Sequence, residues 1–193
     1  MPMSEAPSKR SRTVLWVMLA LTIAPVAASY LIYYFWPPSR TVNYGELIEP
    51  RRLPDARLML ADGTPFELSR LRGKWVLVTI DSAACNAACE RKLYYMRQVR
   101  RAQGKEMERV ERAFLINDDA ALAPDKMAPY AGTWMIRAAG NEILRLFPAQ
   151  GARSAHIYLI DPLGNLMMRY PPDPDARRII KDLERLLKAS RIG

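Results

Sequence analysis

The sequence predicts an α/β protein, in which a mixed β-sheet with flanking helices is preceded by one transmembrane helix. Three observations predict it. An uncharged, mostly apolar segment, 14–36, lies near the N-terminus. Two strand-like apolar runs, 75–80 and 112–117, flank a segment of helical periodicity, which is the order of a parallel crossover. A strand–turn–strand unit, 156–170, then precedes a C-terminal helix with one apolar stripe.

The composition fits one globular domain with an appendage. The chain has 193 residues, of which 50% are hydrophobic and 25% are charged, so most of it is globular rather than disordered. It contains 2 cysteines and 1 histidine. These counts exclude a disulfide-stapled mini-fold, a four-cysteine zinc site and a three-histidine metal centre. Any thiol or imidazole chemistry must therefore use Cys85, Cys89 and His156.

The segment 14–36 predicts a transmembrane helix. At about 1.5 Å per residue it would be about 34 Å long, enough to cross a hydrocarbon core of about 30 Å. Lys9, Arg10 and Arg12 precede the segment, whereas only Arg40 closely follows it. The positive-inside tendency therefore predicts a cytoplasmic N-terminus and places the rest of the chain outside the cytoplasm.

The chain is accordingly divided into a cytoplasmic tail (1–13), a transmembrane anchor (14–36), a linker (37–57) and a folded domain (58–193). We expect a bacterial-type inner membrane with the C-terminal domain in the periplasm. A cleaved signal peptide is the alternative, because small residues precede Ser29. The uncleaved anchor is favoured, since cleavage there would leave a strongly apolar new N-terminus and the segment is longer than a usual signal core.

The net charge of +9 arises from 29 basic and 20 acidic residues. The tail carries +2, which leaves +7 on residues 37–193. This charge predicts attraction to anionic lipid headgroups or to an acidic partner. Nucleic acid is not expected as a partner, because the domain is predicted to lie outside the cytoplasm and its basic residues are interspersed with acidic ones.

The first elements of the domain follow from local patterns. The linker is polar and rich in proline, which predicts little regular structure. An Asp62-Gly63 turn predicts a small hairpin over 58–66. The continuous apolar run 75–80 predicts a central strand buried on both faces, and 112–117 predicts its parallel neighbour.

The remaining elements complete a recognisable order. A helix is predicted from Cys89 onwards, where apolar residues recur at helical spacing until Gly104. A short helix is predicted over 124–130 and a strand over 133–136. The C-terminal helix follows the strand–turn–strand unit and is predicted to be capped by Asp173. This order of strands and helices is the thioredoxin-like arrangement.

Cys85 and Cys89 lie where the first central strand meets the following helix. The start of a helix supplies unpaired N–H groups and the positive end of a dipole, both of which favour a thiolate. If Cys85 precedes the helix and Cys89 lies in its first turn, their sulfurs can approach to bonding distance. The two residues, the cysteine pair, are therefore predicted to be catalytic in thiol–disulfide exchange, or to hold Cu(I) with one more ligand.

Two simpler roles are open to the cysteine pair. Both residues can be small buried hydrophobic side chains, or they can form a purely structural disulfide in an oxidising compartment. Their position together at a strand-to-helix junction, where α/β folds place their chemistry, favours the functional roles.

Three segments of the sequence resemble the Sco/SenC family, namely 71–80, the Cys85-xxx-Cys89 motif and 157–164. The resemblance covers nearly all of the predicted folded domain and extends to the N-terminal anchor. Proteins of that family are membrane-anchored, have a thioredoxin fold and help to assemble the copper centre of cytochrome c oxidase. In that family two cysteines and one distant histidine bind copper. The resemblance implies copper ligation by Cys85 and Cys89, and a respiratory oxidase subunit or assembly factor as the partner. His156, the one histidine of the chain, is the candidate third ligand.

The sequence departs from the family pattern at the site itself. The family usually has a proline after each cysteine, whereas this chain has Asn86 and Glu90. The family's copper histidine lies five residues before the tyrosine of the second strand motif, and that position here is Arg153. His156 lies only two residues before Tyr158. It is thus three residues from the expected position, which in an extended chain is about 10 Å and reverses the facing side. A strand-edge histidine satisfied by a local hydrogen bond is therefore favoured over a copper ligand. An arginine near the cysteine pair would favour thiolates and repel a cation.

We therefore predict a membrane-anchored protein that assists cytochrome c oxidase biogenesis through Cys85 and Cys89. It would reduce the copper-ligand cysteines of its partner, handle Cu(I), or do both. The alternative is a non-catalytic scaffold, in which the disulfide is structural and the basic surface docks an assembly intermediate. A thioredoxin-related peroxidase is disfavoured, because Ser82 is the nearest hydroxyl and its spacing from Cys85 fits that pattern only loosely.

Overall fold

A computed structural model describes residues 9–35, 43–190 and 192. The chain divides into two compact units, the first ending at Val42 and the second beginning at Asn43. The predictions made for residues 1–8 of the tail, for Trp36 and for the first part of the linker lie outside the described residues.

The first unit contains one long helix, α1, which spans Lys9–Phe35. Its part Thr13–Phe35 is long and apolar enough to cross a membrane. Pro25 lies inside the helix without ending it, as membrane helices tolerate. The Thr22 hydroxyl donates to the carbonyls of Met18 and Leu19, so this polar group is satisfied within the helix itself.

The second unit is built on an eight-stranded sheet, in the order β1-β8-β7-β4-β5-β6-β2-β3. Strands β4, β5 and β6 are parallel to one another, and the other pairings are antiparallel. The predicted mixed sheet is therefore confirmed. The strands are β1 Glu46–Arg52, β2 Arg57–Leu60, β3 Pro65–Glu67, β4 Trp75–Asp81, β5 Val110–Ile116, β6 Trp134–Arg137, β7 Ile157–Ile160 and β8 Asn165–Arg169.

Strand β4 is the centre of the sheet, between β5 and β7. Its side chains alternate between two apolar clusters: Val76, Val78 and Ile80 contribute to one, and Leu77 contributes to the other. The continuous apolar run predicted this burial on both faces correctly, because each face of a central strand needs its own apolar residues.

Three helices accompany the sheet: α2 Ala87–Ala102, the single turn α3 Pro124–Met127 and α4 Ala176–Ala189. Helices α2 and α4 share one apolar cluster with β4, so they lie on the same face of the sheet. Short 3-10 turns that contribute Leu71, Ile143 and Phe147 cover the other face.

Two local predictions differ from the structure. Helix α4 is capped by Asp175, whose carboxylate accepts from the Arg177 N–H at 2.8 Å, whereas Asp173 lies in a left-handed turn with φ 49°. The linker predicted over 37–57 contains strand β1, despite its Pro50. Proline has no N–H group to donate to a neighbouring strand. It is tolerated in β1 because β1 is an edge strand, with a neighbour on one side only.

Candidate functional site

Cys85 and Cys89 are joined by a disulfide at the junction between β4 and α2. Their Cα atoms are 5.1 Å apart, within the usual range for a disulfide. Both residues are 0% exposed, although Ala84 and Asn86 beside them are exposed. The bond therefore lies directly beneath an exposed turn of backbone.

The backbone before the helix bends sharply to bring the two sulfurs together. The Cys85 N–H donates to the Ser82 carbonyl at 3.0 Å, and Cys85 adopts φ 38°. A non-glycine residue in this left-handed region carries a strain of about 1–3 kcal/mol and is held there by its surroundings. Outliers of this kind are concentrated at functional sites.

Asn86 fixes the start of helix α2. Its side-chain oxygen accepts from the backbone N–H groups of Ala88 and Cys89, each at 3.0 Å. Cys89 therefore lies in the first turn of the helix, and Cys85 lies immediately before the cap, as predicted. The cap also occupies two of the N–H groups that the start of a helix would otherwise offer to a thiolate.

Asp118, which follows the end of strand β5, stabilises the turn that contains Cys85. Its carboxylate accepts from the Ala83 N–H at 3.0 Å. A hydrogen bond from the Ser82 side chain, followed by the bond from Ala83, holds the pKa of Asp118 below its ordinary value. The turn that carries Cys85 is thereby tied to the end of β5.

Residues 124–130, which we call the cover segment, pack against the disulfide. Met127 and Tyr130 belong to the same buried cluster as the two cysteines. The Tyr130 hydroxyl donates to the Glu90 carbonyl at 3.1 Å, and burial raises the pKa of Tyr130. The Lys126 ammonium donates to the Ala84 carbonyl at 3.4 Å and lies 3.8 Å from the Glu90 carboxylate. These contacts fasten the cover segment to both sides of the site.

A buried ion pair lies one helical turn after Cys89. The Lys92 ammonium is 2.7 Å from the Asp81 carboxylate and also donates to the Ser154 carbonyl. Lys92 is 5% exposed. Sequence reasoning missed this pair, although a lysine in the apolar stripe of a helix signals a charge that needs a partner.

His156 is buried and contacts Tyr170 and Tyr158. Its Nδ1 lies 2.8 Å from the Tyr170 carbonyl, and its ring centroid is 5.9 Å from that of Tyr158. Its Nε2 is buried with no hydrogen-bond partner among the described residues. Within that part of the chain, no group of three or more His, Cys, Asp or Glu side chains could hold a metal ion.

Arg153 occupies the position that holds histidine in the Sco/SenC pattern. It is exposed, and its Nε donates to the Phe147 carbonyl at 3.0 Å. The guanidinium is thus oriented by the loop between β6 and β7.

The arrangement supports two-electron sulfur chemistry. In the state seen, the sulfurs are oxidised and are not available as thiolate ligands. Reduction would give two thiols at a helix start with a covering segment beside them. Two thiolates are a donor set that suits Cu(I), but the structure does not bring His156 to them as a third ligand.

The chain matches a family model described as the transmembrane-like, thioredoxin-like, C-terminal domain over residues 75–190. No curated protein matches the chain. Similar solved structures include copper-bound ScoI of Bradyrhizobium japonicum, with 21% identity and a TM-score of 0.52 over 72% of this chain and 99% of that one. Copper-bound yeast Sco1 has 15% identity and a TM-score of 0.58 over 78% of this chain and 96% of that one.

A SCO1/SenC family lipoprotein from Bacillus anthracis is also similar, with 19% identity and a TM-score of 0.54 over 73% of this chain and 99% of that one. These structural neighbours confirm the predicted likeness to Sco/SenC proteins at the level of the thioredoxin-like fold. The family model covers the part of the domain from β4 through α4, which is more than half of the chain. The chain therefore belongs to the family of transmembrane-like proteins with a thioredoxin-like C-terminal domain.

Proposed function

We propose that this chain is a membrane-anchored protein that assists cytochrome c oxidase biogenesis by thiol–disulfide exchange. Its partner would be a respiratory oxidase subunit or assembly factor whose copper-ligand cysteines must be reduced. The observation that carries the proposal is the Cys85–Cys89 disulfide at the start of helix α2. We place the N-terminus in the cytoplasm and the folded domain in the periplasm, because the basic residues precede the apolar part of helix α1, Thr13–Phe35.

The exchange has two steps. In the reduced protein, the Cys85 thiolate attacks one sulfur of the partner's disulfide, and the other partner sulfur leaves as a thiolate. The Cys89 thiolate then attacks the Cys85 sulfur of this mixed disulfide and releases the second partner thiolate. Two electrons pass to the partner, which leaves as a dithiol, and the chain is left with the disulfide seen in the structure. An upstream dithiol must reduce it again.

Access to the sulfurs requires movement of the cover segment. Both cysteines are fully buried, and nucleophilic attack needs an approach along the S–S axis. Opening breaks the polar contacts of Lys126 and Tyr130 and the apolar packing of Met127 and Tyr130, a local change that costs less than global unfolding. Docking of the partner would displace this segment.

Cu(I) is the second cargo that we assign to the reduced cysteine pair. Two thiolates four residues apart form a soft donor set, and the copper-bound structural neighbours share the fold. His156 is the third ligand that the sequence proposes, and its unpartnered Nε2 is the atom that would bind. Because no described cluster joins it to the cysteines, ligation by His156 requires the segment that carries it to move.

The scaffold role is the alternative, and the burial of both cysteines favours it. A disulfide shielded from thiols would persist as a structural bond, and the basic surface would then carry the interaction with an assembly intermediate.

Equilibration of the full chain in detergent with glutathione redox buffers separates the two roles. We expect a reduction potential above about −300 mV, and reduction of a dithiol–disulfide peptide by the reduced chain. Cys85→Ser should abolish the reaction, and Cys89→Ser should trap the mixed disulfide. A potential far below about −300 mV, with no peptide reduced, would support the scaffold instead.

Copper handling is tested on the same reduced chain by Cu(I) titration against a competing chelator. We expect one Cu(I) per chain, lost in Cys85→Ser. A matched His156→Gln variant decides whether the imidazole contributes. Binding that is unchanged in Cys85→Ser would remove copper from the proposal.

A further inference from the structure

Arg112 carries a buried guanidinium among other positive charges. It lies in strand β5 and is 4% exposed. Burial lowers the pKa of Arg112, and the charges of Arg100, Arg97 and Arg101 on helix α2 lower it further, whereas Glu111 opposes them. Three cations thus lie within electrostatic range of a fourth that is itself removed from water.

The hydrogen-bonding groups of this cluster are only partly used. The Arg112 Nη2 donates to the Ala131 carbonyl at 2.9 Å, but its Nε and Nη1 are buried and face no acceptor in the described part of the chain. Arg97 donates through Nη1 to the Pro129 carbonyl at 2.6 Å, and its Nε is likewise buried with no acceptor among those residues. Three buried guanidinium donor atoms are therefore without an acceptor among the described residues.

The nearby acidic groups do not supply that acceptor. Glu111 precedes Arg112 in β5, so it points to the other face of the sheet, where its carboxylate accepts from the Trp134 Nε1 at 3.2 Å. Glu108 lies 3.4 Å from Arg100. Arg100 also donates to the Val110 carbonyl at 2.7 Å, which leaves it outside the set of available donors.

The geometry around Arg112 suits an incoming oxyanion. Arg101 is exposed and follows Arg97 by four residues, so the two lie on the same side of α2. The backbone of Gly132 approaches the Arg112 side chain closely. Its φ is +79°, and a Cβ added at this position would lie 3.2 Å from the Arg112 Nη2. Each unpaired N–H donor of the Arg112 guanidinium can form a charge-assisted hydrogen bond to a phosphate oxygen.

We propose that Arg97, Arg101 and Arg112 form a phosphate-binding site between helix α2 and the loop 131–132. The site contains neither cysteine, and the proposal does not rest on the proposed oxidase role. Its ligand is a phosphate group, supplied either as free phosphate or by an anionic lipid headgroup of the membrane in which the chain is anchored. A buried charge without a partner destabilises a fold, and an oxyanion relieves this cost.

The test measures thermal unfolding and calorimetric binding of the full chain in an uncharged detergent. Inorganic phosphate is compared with sodium chloride at equal ionic strength. We expect saturable binding, and an unfolding midpoint that rises with phosphate but not with chloride. A parent protein that shows no saturable phosphate effect would overturn the proposal.

Three variants assign the effect to the site. Arg112→Met should lose the phosphate response, yet unfold in chloride at or above the parent's midpoint, because methionine needs no polar partner. Arg101→Gln, an exposed change that leaves the core intact, should weaken phosphate binding at least about threefold. Arg177→Gln makes the same change on α4 and should bind as the parent does. Equal binding by the parent, Arg101→Gln and Arg112→Met would contradict the site.

The source of the phosphate is tested in nanodiscs without inorganic phosphate. Discs of phosphatidylcholine alone are compared with discs that also contain phosphatidylglycerol. A midpoint that rises with phosphatidylglycerol, and does so only when Arg112 is present, identifies a lipid headgroup. A response limited to inorganic phosphate identifies the free anion. Absence of both responses overturns the proposal.

Discussion

Asn86 determines where helix α2 begins and which N–H groups the cysteines can reach. Its side-chain oxygen accepts from Ala88 and Cys89, at a position where proline is usual in the Sco/SenC pattern. A proline would leave these two donors unpaired, and unpaired donors at a helix start stabilise a neighbouring thiolate. Asn86 therefore stabilises helix α2, and it also makes two backbone N–H groups unavailable as hydrogen-bond donors to the cysteine sulfurs.

Asn86→Ala should show these two effects separately. The loss of the cap should lower the free energy of unfolding by about 1 kcal/mol, as measured by denaturant titration. The freed N–H groups should make the disulfide easier to reduce in glutathione buffer. Asn86→Asp keeps the cap and serves as the control for stability. An unchanged reduction potential in Asn86→Ala would show that helix N–H groups do not act on the sulfurs.

Tyr158 predicts a loss of stability at alkaline pH. Burial raises the pKa of Tyr158 from 10.0 to about 12, so the folded state holds this proton more tightly than the unfolded state. The contribution is complete below pH 10 and is lost as the pH rises towards 12. Tyr158→Phe should flatten this part of the pH dependence, although it also removes the hydrogen bond to Pro148. Identical alkaline slopes in both proteins would contradict the assignment.

The cover segment is the element that controls access to the disulfide. It consists of one short helical turn and a 3-10 turn, held by polar contacts to Glu90, Ala84 and Arg97 and by the packing of Met127 and Tyr130 in the apolar cluster. An element with so few internal hydrogen bonds derives its order from its neighbours. Its opening therefore depends on single contacts that a substitution can remove.

Tyr130→Phe removes the hydrogen bond to the Glu90 carbonyl and keeps the ring in the apolar cluster. A bond of this kind contributes about 1 kcal/mol, which corresponds to an opening about fivefold more frequent. The rate at which dithiothreitol reduces the disulfide should rise by the same factor. Tyr94→Phe, at an exposed position of α2, is the control. Equal rates in all three proteins would show that attack does not pass this segment.

At the scale of the whole molecule, the sheet was predictable from the sequence, including the β2–β3 hairpin at one edge, but strand β1 at the other edge was not. The run 75–80 predicted a central strand because each face of β4 has its own apolar cluster. Strand β1 could not be predicted, because Pro50 and exposed polar residues are typical of a loop as well as of an edge strand.

At the site, the sequence spacing of the two cysteines predicted their position at the strand-to-helix junction. The Lys92–Asp81 ion pair and the position of His156 could not be predicted, because they depend on contacts between segments that are distant in sequence.

The anchor makes a prediction for the intact chain. Helix α1 has an apolar part, Thr13–Phe35, long enough to span a bilayer. The protein should therefore remain in the membrane pellet after alkaline carbonate extraction, and N-terminal sequencing should find residues that precede Ser29. An alkali-soluble protein that begins at Ser29 would instead identify a cleaved signal peptide.

Because Cys85 and Cys89 are close in sequence, their disulfide closes only a short loop of the chain. A cross-link stabilises a protein largely by restricting the loop that it closes in the unfolded chain. The separation here is 4 residues, and such a loop contributes only about 2 kcal/mol, against nearly 5 kcal/mol for a loop of about 100 residues. Reduction of this disulfide therefore costs the domain less stability than reduction of a long-range disulfide would. The oxidised and reduced chains can share one fold, and the sulfurs can store and release two electrons without unfolding the protein around them.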